Sequence, residues 1–164
     1  MKRIYDLECE LKKLIEKSIT IETNTTKGSP KTPEVFIGPI PTERIEEIVP
    51  AIGIVASSGA NTLESKEIDI KVSILLYIDN TKEIYQKLYQ MIDIVIEKVL
   101  EPGIYLDEFE ACTNAKWEID SNSLYMAGEV TFKFIRTKAY RTDVDKWIQG
   151  EWGRWQREKK KLKR

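Results

Sequence analysis

The stretch Lys66–Leu100, KEIDIKVSILLYIDNTKEIYQKLYQMIDIVIEKVL, decides how this chain folds. In its first half Ile68, Ile70, Val72, Ile74, Leu76 and Ile78 are apolar, and Glu67, Asp69, Lys71 and Ser73 lie between them. Successive side chains of a strand point to opposite faces, so this pattern predicts one long strand with a buried face and a wet face. The period then changes. Ile84, Leu88, Met91, Ile92, Val95 and Val99 recur at helical spacing, with Tyr85, Ile96 and Leu100 widening the stripe, until Glu101-Pro102-Gly103 stops it. Asn80, with Glu83 three residues on, has the spacing of a capping box. No catalytic side chain is evident along this unit. It reads as scaffold, and assembly is a better first reading than chemistry.

On its N-terminal side, Ile4, Leu7, Leu11, Leu14 and Ile15 predict an amphipathic first helix ending near Ser18. Thr23–Pro33, TNTTKGSPKTP, has loop composition and is expected to be a mobile surface loop. A short strand at Glu34–Ile37 stops at Gly38-Pro39, and the proline-bounded segment after it has room for a single helical turn. Ala51–Ala56 is a strand-length apolar run, and SSGANTLES after it reads as another loop. On the C-terminal side, Ile104–Cys112 is ambiguous between strand and coil. Lys116–Asp120 and a second long strand, Ala127–Tyr140, form an antiparallel hairpin through the Asp120–Leu124 turn. The expected fold is therefore α+β, a mainly antiparallel sheet of four to five strands packed against two helices, with a C-terminal helical arm. Residues 1–141 make the domain and 142–164 the arm.

Composition narrows the function. The chain has 164 residues, enough for one domain with a genuine core. It contains no histidine, which removes the usual general base, the Ser-His and Cys-His pairs and nearly every zinc site. Cys9 and Cys112 are too few and too far apart for a disulfide framework, so both are expected to be reduced thiols. MKRIYDLECELKKL carries no apolar signal core, and no stretch approaches the ~18 apolar residues of a membrane span. A soluble, cytosolically made chain is expected.

Acidic pairs occur at Glu46-Glu47, at Asp107-Glu108 with Glu110, and at Asp143 with Asp145. Such pairs could hold a divalent cation or run glycoside hydrolysis, but sequence neighbours do not converge on one point, and solvated faces explain them. SSGAN at Ser57–Asn61 lacks the spacing of a phosphate loop, and Ser57 and Ser58 have no histidine to activate them. We therefore expect no enzyme, no cofactor and no metal.

The net charge of −1 hides an asymmetry. Val144–Arg164 carries eight Lys/Arg against three Asp/Glu, a net of +5, which leaves −6 on the rest. Trp147, Ile148, Trp152 and Trp155 fall roughly on one face of this tail, and Lys159, Lys160 and Lys161 follow. The tryptophans can pack on the parent domain, dock in a groove of a neighbouring subunit, or meet nucleic acid or a membrane surface. Gly150 and Gly153 each weaken a helix by about 1 kcal/mol, so the segment gains order mainly from a partner surface, which favours docking. These seven residues are the candidate partner contacts.

The order of elements, with "PEVFIGPIP", "IVPAIGIVASSGA", the strand-Asp-helix unit at Ile68–Leu100, "KWEI" and "AGEVTFKFIRTKAYR", resembles the tail terminator and tail-completion proteins of long-tailed bacteriophages and related phage-tail-like particles. The resemblance covers roughly Met1–Arg141 and is one of pattern rather than of an invariant motif. It implies an α+β subunit of a hexameric ring that caps the tail tube and joins it to the head or neck. It also implies the tail tube protein, neck or connector proteins and, in a contractile tail, the sheath protein as partners. The place would be the virion's tail–neck junction, assembled in the bacterial cytoplasm, with no membrane contact and with DNA only passing through the lumen. The family has no catalytic residues to carry over. The loops Glu22–Pro33 and Ser57–Ser65 would order on contact, and Asp143–Arg164 would reach neighbours. Another head–tail joining protein, or a small nucleic-acid-binding module using the Trp-rich tail, stays open as an alternative.

Overall fold

A computed structural model of the chain describes residues 3–61, 65–137 and 154. In chain order the elements are α1 (Ile4–Ser18), β1 (Thr23–Asn24), β2 (Pro30–Lys31) and β3 (Glu34–Ile37). A 3₁₀ turn at Thr42–Arg44 leads into α2 (Ile45–Ile48), followed by β4 (Ala51–Asn61), β5 (Ser65–Tyr77) and α3 (Thr81–Leu100). β6 (Ile104–Tyr105), β7 (Phe109–Ser121) and β8 (Tyr125–Thr137) complete the described fold.

Six strands form one mixed sheet in the order β3-β4-β5-β8-β7-β6, curled into a half-barrel, and β1-β2 form a separate pair. This corrects the expected sheet of four to five mainly antiparallel strands on two helices. Three physical reasons account for the difference. β3 pairs with β4 in parallel, Glu34 with Ala51 through Ile37 with Ile54, because the chain between them crosses over through α2 instead of reversing in a hairpin. Ser57–Asn61, expected as loop, continues β4 because the long alternating strand β5 offers it a partner all the way to Lys66. A bulge between Ala56 and Ser58 absorbs the irregular composition. The ambiguous segment after α3 resolves into β6, a turn with Leu106 and Asp107 at positive φ, and the start of β7.

Thr23–Lys31 also departs from the expected loop. It closes on itself through Thr25 N–H to the Ser29 carbonyl (2.9 Å) and is tied to its surroundings. Lys87 Nζ donates to the Glu22 carbonyl at 3.1 Å, Thr26 Oγ1 to the Glu46 carbonyl at 2.8 Å, and the Asn24 amide to the Asp79 carboxylate. The expected C-terminal helical arm, 142–164, lies outside the described residues apart from Arg154, as does the end of the second long strand beyond Thr137.

The strand–helix unit behaves as its periodicity requires. Ile68, Ile70, Val72, Ile74 and Leu76 are buried on the face that meets α3, together with Val130, Phe132 and Phe134 of β8. Ile84, Leu88, Met91, Ile92, Val95 and Val99 of α3 are buried against them, and Leu7, Leu11 and Ile15 of α1 close the same core over β3 and β4. Asn80 caps α3, its Oδ1 accepting from Glu83 N–H at 3.3 Å. The reciprocal arm of a capping box is replaced: Asn80 N–H donates to Asp79 Oδ1, and Glu83 pairs with Lys87 at 3.1 Å. At Gly128 a Cβ would stand 2.9 Å from Leu88 and Ile92, so the missing side chain lets the helix lie close to β8. The hairpin read through Asp120–Leu124 is present, with Trp117 opposite Val130 and Ser121 opposite Met126.

Candidate assembly interface

Among the described residues no group of three or more His, Cys, Asp or Glu could hold a metal ion. Glu47 is spent on Arg44 at 3.0 Å, and Ser58 Oγ donates to the Asp69 carboxylate at 2.8 Å. Asp143 and Asp145 lie outside the described residues. Among the described residues no helix is long and apolar enough to cross a membrane.

What the fold does present is two open sheet edges. β3 covers the outer side of β4 only from Ala51 to Ile54, and Gly38 N–H extends that seam by donating to the Ile54 carbonyl at 2.8 Å. At Ala56 the backbone N–H donates to Glu8 Oε2 of α1 at 3.4 Å. Beyond that, no described strand pairs with the outer side of Ser57–Asn61, a run without a charge or a proline. Glu8 shows its part burial in its acidity: burial raises the carboxyl pKa, and the Ala56 N–H works in the opposite direction.

At the other end of the sheet, β6 covers β7 only at Phe109 and Glu110, and Ala111 N–H donates to the Gly103 carbonyl at 2.8 Å. From Cys112 to Ser121 the outer side of β7 has no partner strand among the described residues. Unpaired edges are templates for another strand, and natural proteins guard them with charge, proline or bulges. β7 carries Lys116, Glu118 and Asp120 and an irregular register between Ala111 and Ala115. The β4 edge has its bulge and little else.

The two faces of the sheet differ as strongly as its edges. On the face away from α3, Lys71 pairs with Glu129 at 3.1 Å and Lys133 with Glu67 at 3.8 Å, all four side chains partly in water. These pairs contribute well under about 1 kcal/mol each, and their role is to keep that face wet. On the helix side, Trp117 emerges from β7 beside α3. Its ring meets Tyr89 edge-on at 5.1 Å, and Tyr89 meets Tyr85 at 5.5 Å. Trp117 and Tyr85 remain 44% and 46% exposed. Tyr85 was expected in the buried stripe; the curl of the sheet carries β7 only far enough to half-cover this flank of α3. The i, i+4 spacing of Tyr85 and Tyr89 was the one sequence signal for the patch.

At the closed end, Tyr105 seals the junction of α3 and β6. Its hydroxyl donates to the Val99 carbonyl at 2.5 Å, and burial, helped by the Glu101 carboxylate, pushes its pKa up to about 12. Arg136, also buried, lies over the Phe109 ring at 5.7 Å. The partner contacts expected at Trp147, Ile148, Trp152, Trp155, Lys159, Lys160 and Lys161 lie outside the described residues. No family model matches this chain, and no curated protein matches it.

Proposed function

We propose that this chain is a structural virion protein, a tail terminator whose copies close into a ring that caps the tail tube and joins it to the neck. The observation that carries the reading is the pair of dissimilar open edges, Ser57–Asn61 of β4 and Cys112–Ser121 of β7, at opposite ends of one curled sheet. Joining unlike edges of successive copies is a heterologous contact, and heterologous contacts generate rings when the rotation closes. The bond between copies would be strand addition, in which main-chain hydrogen bonds supply the affinity. A chain without histidine or a metal-binding cluster among its described residues suits such a role. The identification with a tail terminator, rather than with some other ring, comes from the order of elements set out above.

Light scattering coupled to size exclusion, with negative-stain imaging, tests the reading. A ring of about six subunits is expected, alone or on added tail tubes. Ser57→Lys combined with Ala60→Lys, which gives the β4 edge the guard it lacks, should abolish the ring and leave a folded monomer. A monomer at high concentration that also ignores tail tubes would refute the proposal.

A further inference from the structure

We infer that the flank between α3 and β7 is a docking groove for the chain's own basic, tryptophan-rich segment after Thr137. This inference does not depend on ring formation. On α3 the residues Tyr85, Tyr89, Ile96 and Leu100 follow one another at helical spacing along the side turned to β7, and Trp117 faces them from the strand. At the lower end of this flank Leu100, Ile104 and Ala111 line a cavity of about 260 Å³, with Ile104 itself 60% exposed. Along its middle and at its cavity end this apolar strip is rimmed by carboxylates. Asp93 and Glu97 stand exposed on α3 above it, and Glu110 lines the cavity below. On α3 the cation Lys82 stands exposed three residues before Tyr85, at the end of the strip far from the cavity, and Lys98, on another face, is engaged with Glu101 at 3.4 Å.

An apolar strip under carboxylates calls for an occupant with aromatic anchors and cations. Trp147, Trp152 and Trp155 followed by Lys159, Lys160 and Lys161 supply both within one run of sequence. The position of the chain favours its own segment as the occupant. The last described residues of β8 stand beside the start of β7, where Arg136 pairs with Phe109 and Ile135 with Glu110, at the cavity end of the groove. Nine residues, the number between Thr137 and Trp147, reach up to ~30 Å when extended. The strip from Leu100 to Tyr85 is only about 22 Å of helix. Tethering beside the groove also raises the effective concentration of the segment into the range of millimolar, ~10⁻³ M, which a separate molecule must match in solution. Two other depressions are mixed in sign: one of about 370 Å³ between α1 and β6 is lined by Glu10, Lys13 and Lys17, and one of about 320 Å³ on the sheet is lined by Lys71, Lys116, Glu118 and Glu129.

Zero-length carbodiimide crosslinking of the full chain, with isotope-labelled and unlabelled copies mixed and the products mapped by mass spectrometry, tests this assignment. Lys159, Lys160 and Lys161 should join Asp93, Glu97 or Glu110 of the same copy. Trp152→Ala with Trp155→Ala, a change outside the core described above, should lower those yields about tenfold while leaving the circular dichroism spectrum unchanged. Crosslinks confined to other carboxylates, or none in a folded chain, would overturn the groove. Crosslinks found only between labelled and unlabelled copies would overturn the assignment to the chain's own segment and give the groove to a second copy.

Discussion

The inner and outer halves of β4 are one continuous strand on one partner, yet they differ in nearly everything else. From Ala51 to Ile54 the strand is buried, its outer side is closed by β3, and Gly53 lies so close to the crossing chain that a Cβ there would stand 2.9 Å from the Gly38 carbonyl oxygen. From Ser57 to Asn61 it is exposed, and its outer side is open among the described residues. Both halves pair with β5 through the same kind of ladder. Whether a stretch of strand is core or open edge is thus set by its second neighbour, not by the first.

Substitutions on the two sides of the bulge should therefore behave differently. Ile54→Ala removes a fully buried side chain and should cost about 2–5 kcal/mol in urea unfolding. An equal cost for the exposed Ser58→Ala would erase the distinction between the halves. Gly53→Ala comes next. Its clash is with backbone, which cannot rotate away, so a loss of about 1–3 kcal/mol is expected in the same assay. Ser57→Lys with Ala60→Lys should change the stability of the monomer by only about 0.5 kcal/mol, because the open half holds little of the core. Its effect is reserved for assembly, and a large drop in melting temperature would show that this half is structural after all.

Glu8→Gln is the smallest change and sharpens the boundary between the halves. The raised carboxyl pKa of Glu8 means that the folded chain favours the protonated form. That stability is fully present below the ordinary glutamate range and is lost as pH rises through the raised value. Glutamine keeps an acceptor for Ala56 N–H and never ionises. The variant should therefore match the wild type in acid and equal or slightly exceed it near neutrality, as followed by unfolding midpoints across pH. Wild-type stability that instead falls on acidification relative to the variant would show the carboxylate to be a net contributor at the Ala56 N–H.

Much of the core was legible. Every residue expected at the centre of the α3 stripe is buried, and so are all the alternating residues of β5 from Ile68 to Leu76, because periodicity reports which face meets apolar matter. The errors concentrate where local composition and tertiary pairing disagree. Ser57–Asn61 has the residues of a turn, but a strand partner across the bulge overrides them. Ile104–Tyr105 is too short to show a period and exists only because β7 runs alongside. The aromatic flank was half-visible: Tyr85 and Tyr89 share a helix face in the sequence, but nothing local to Trp117 said that it would meet them.

The sequence by itself determined the two long strands, the two long helices, the capping of α3 by Asn80 and the absence of histidine chemistry, all of them properties of spacing or of side-chain inventory. Only the tertiary structure decided where the sheet ends. An edge is the place where pairing stops, and pairing joins residues far apart in the chain: Glu34 to Ala51, Ser65 to Thr137, Phe109 to Arg136. No window of sequence contains both partners, so the open halves of β4 and β7 and the acidic groove beside α3 come into view only once the chain is folded.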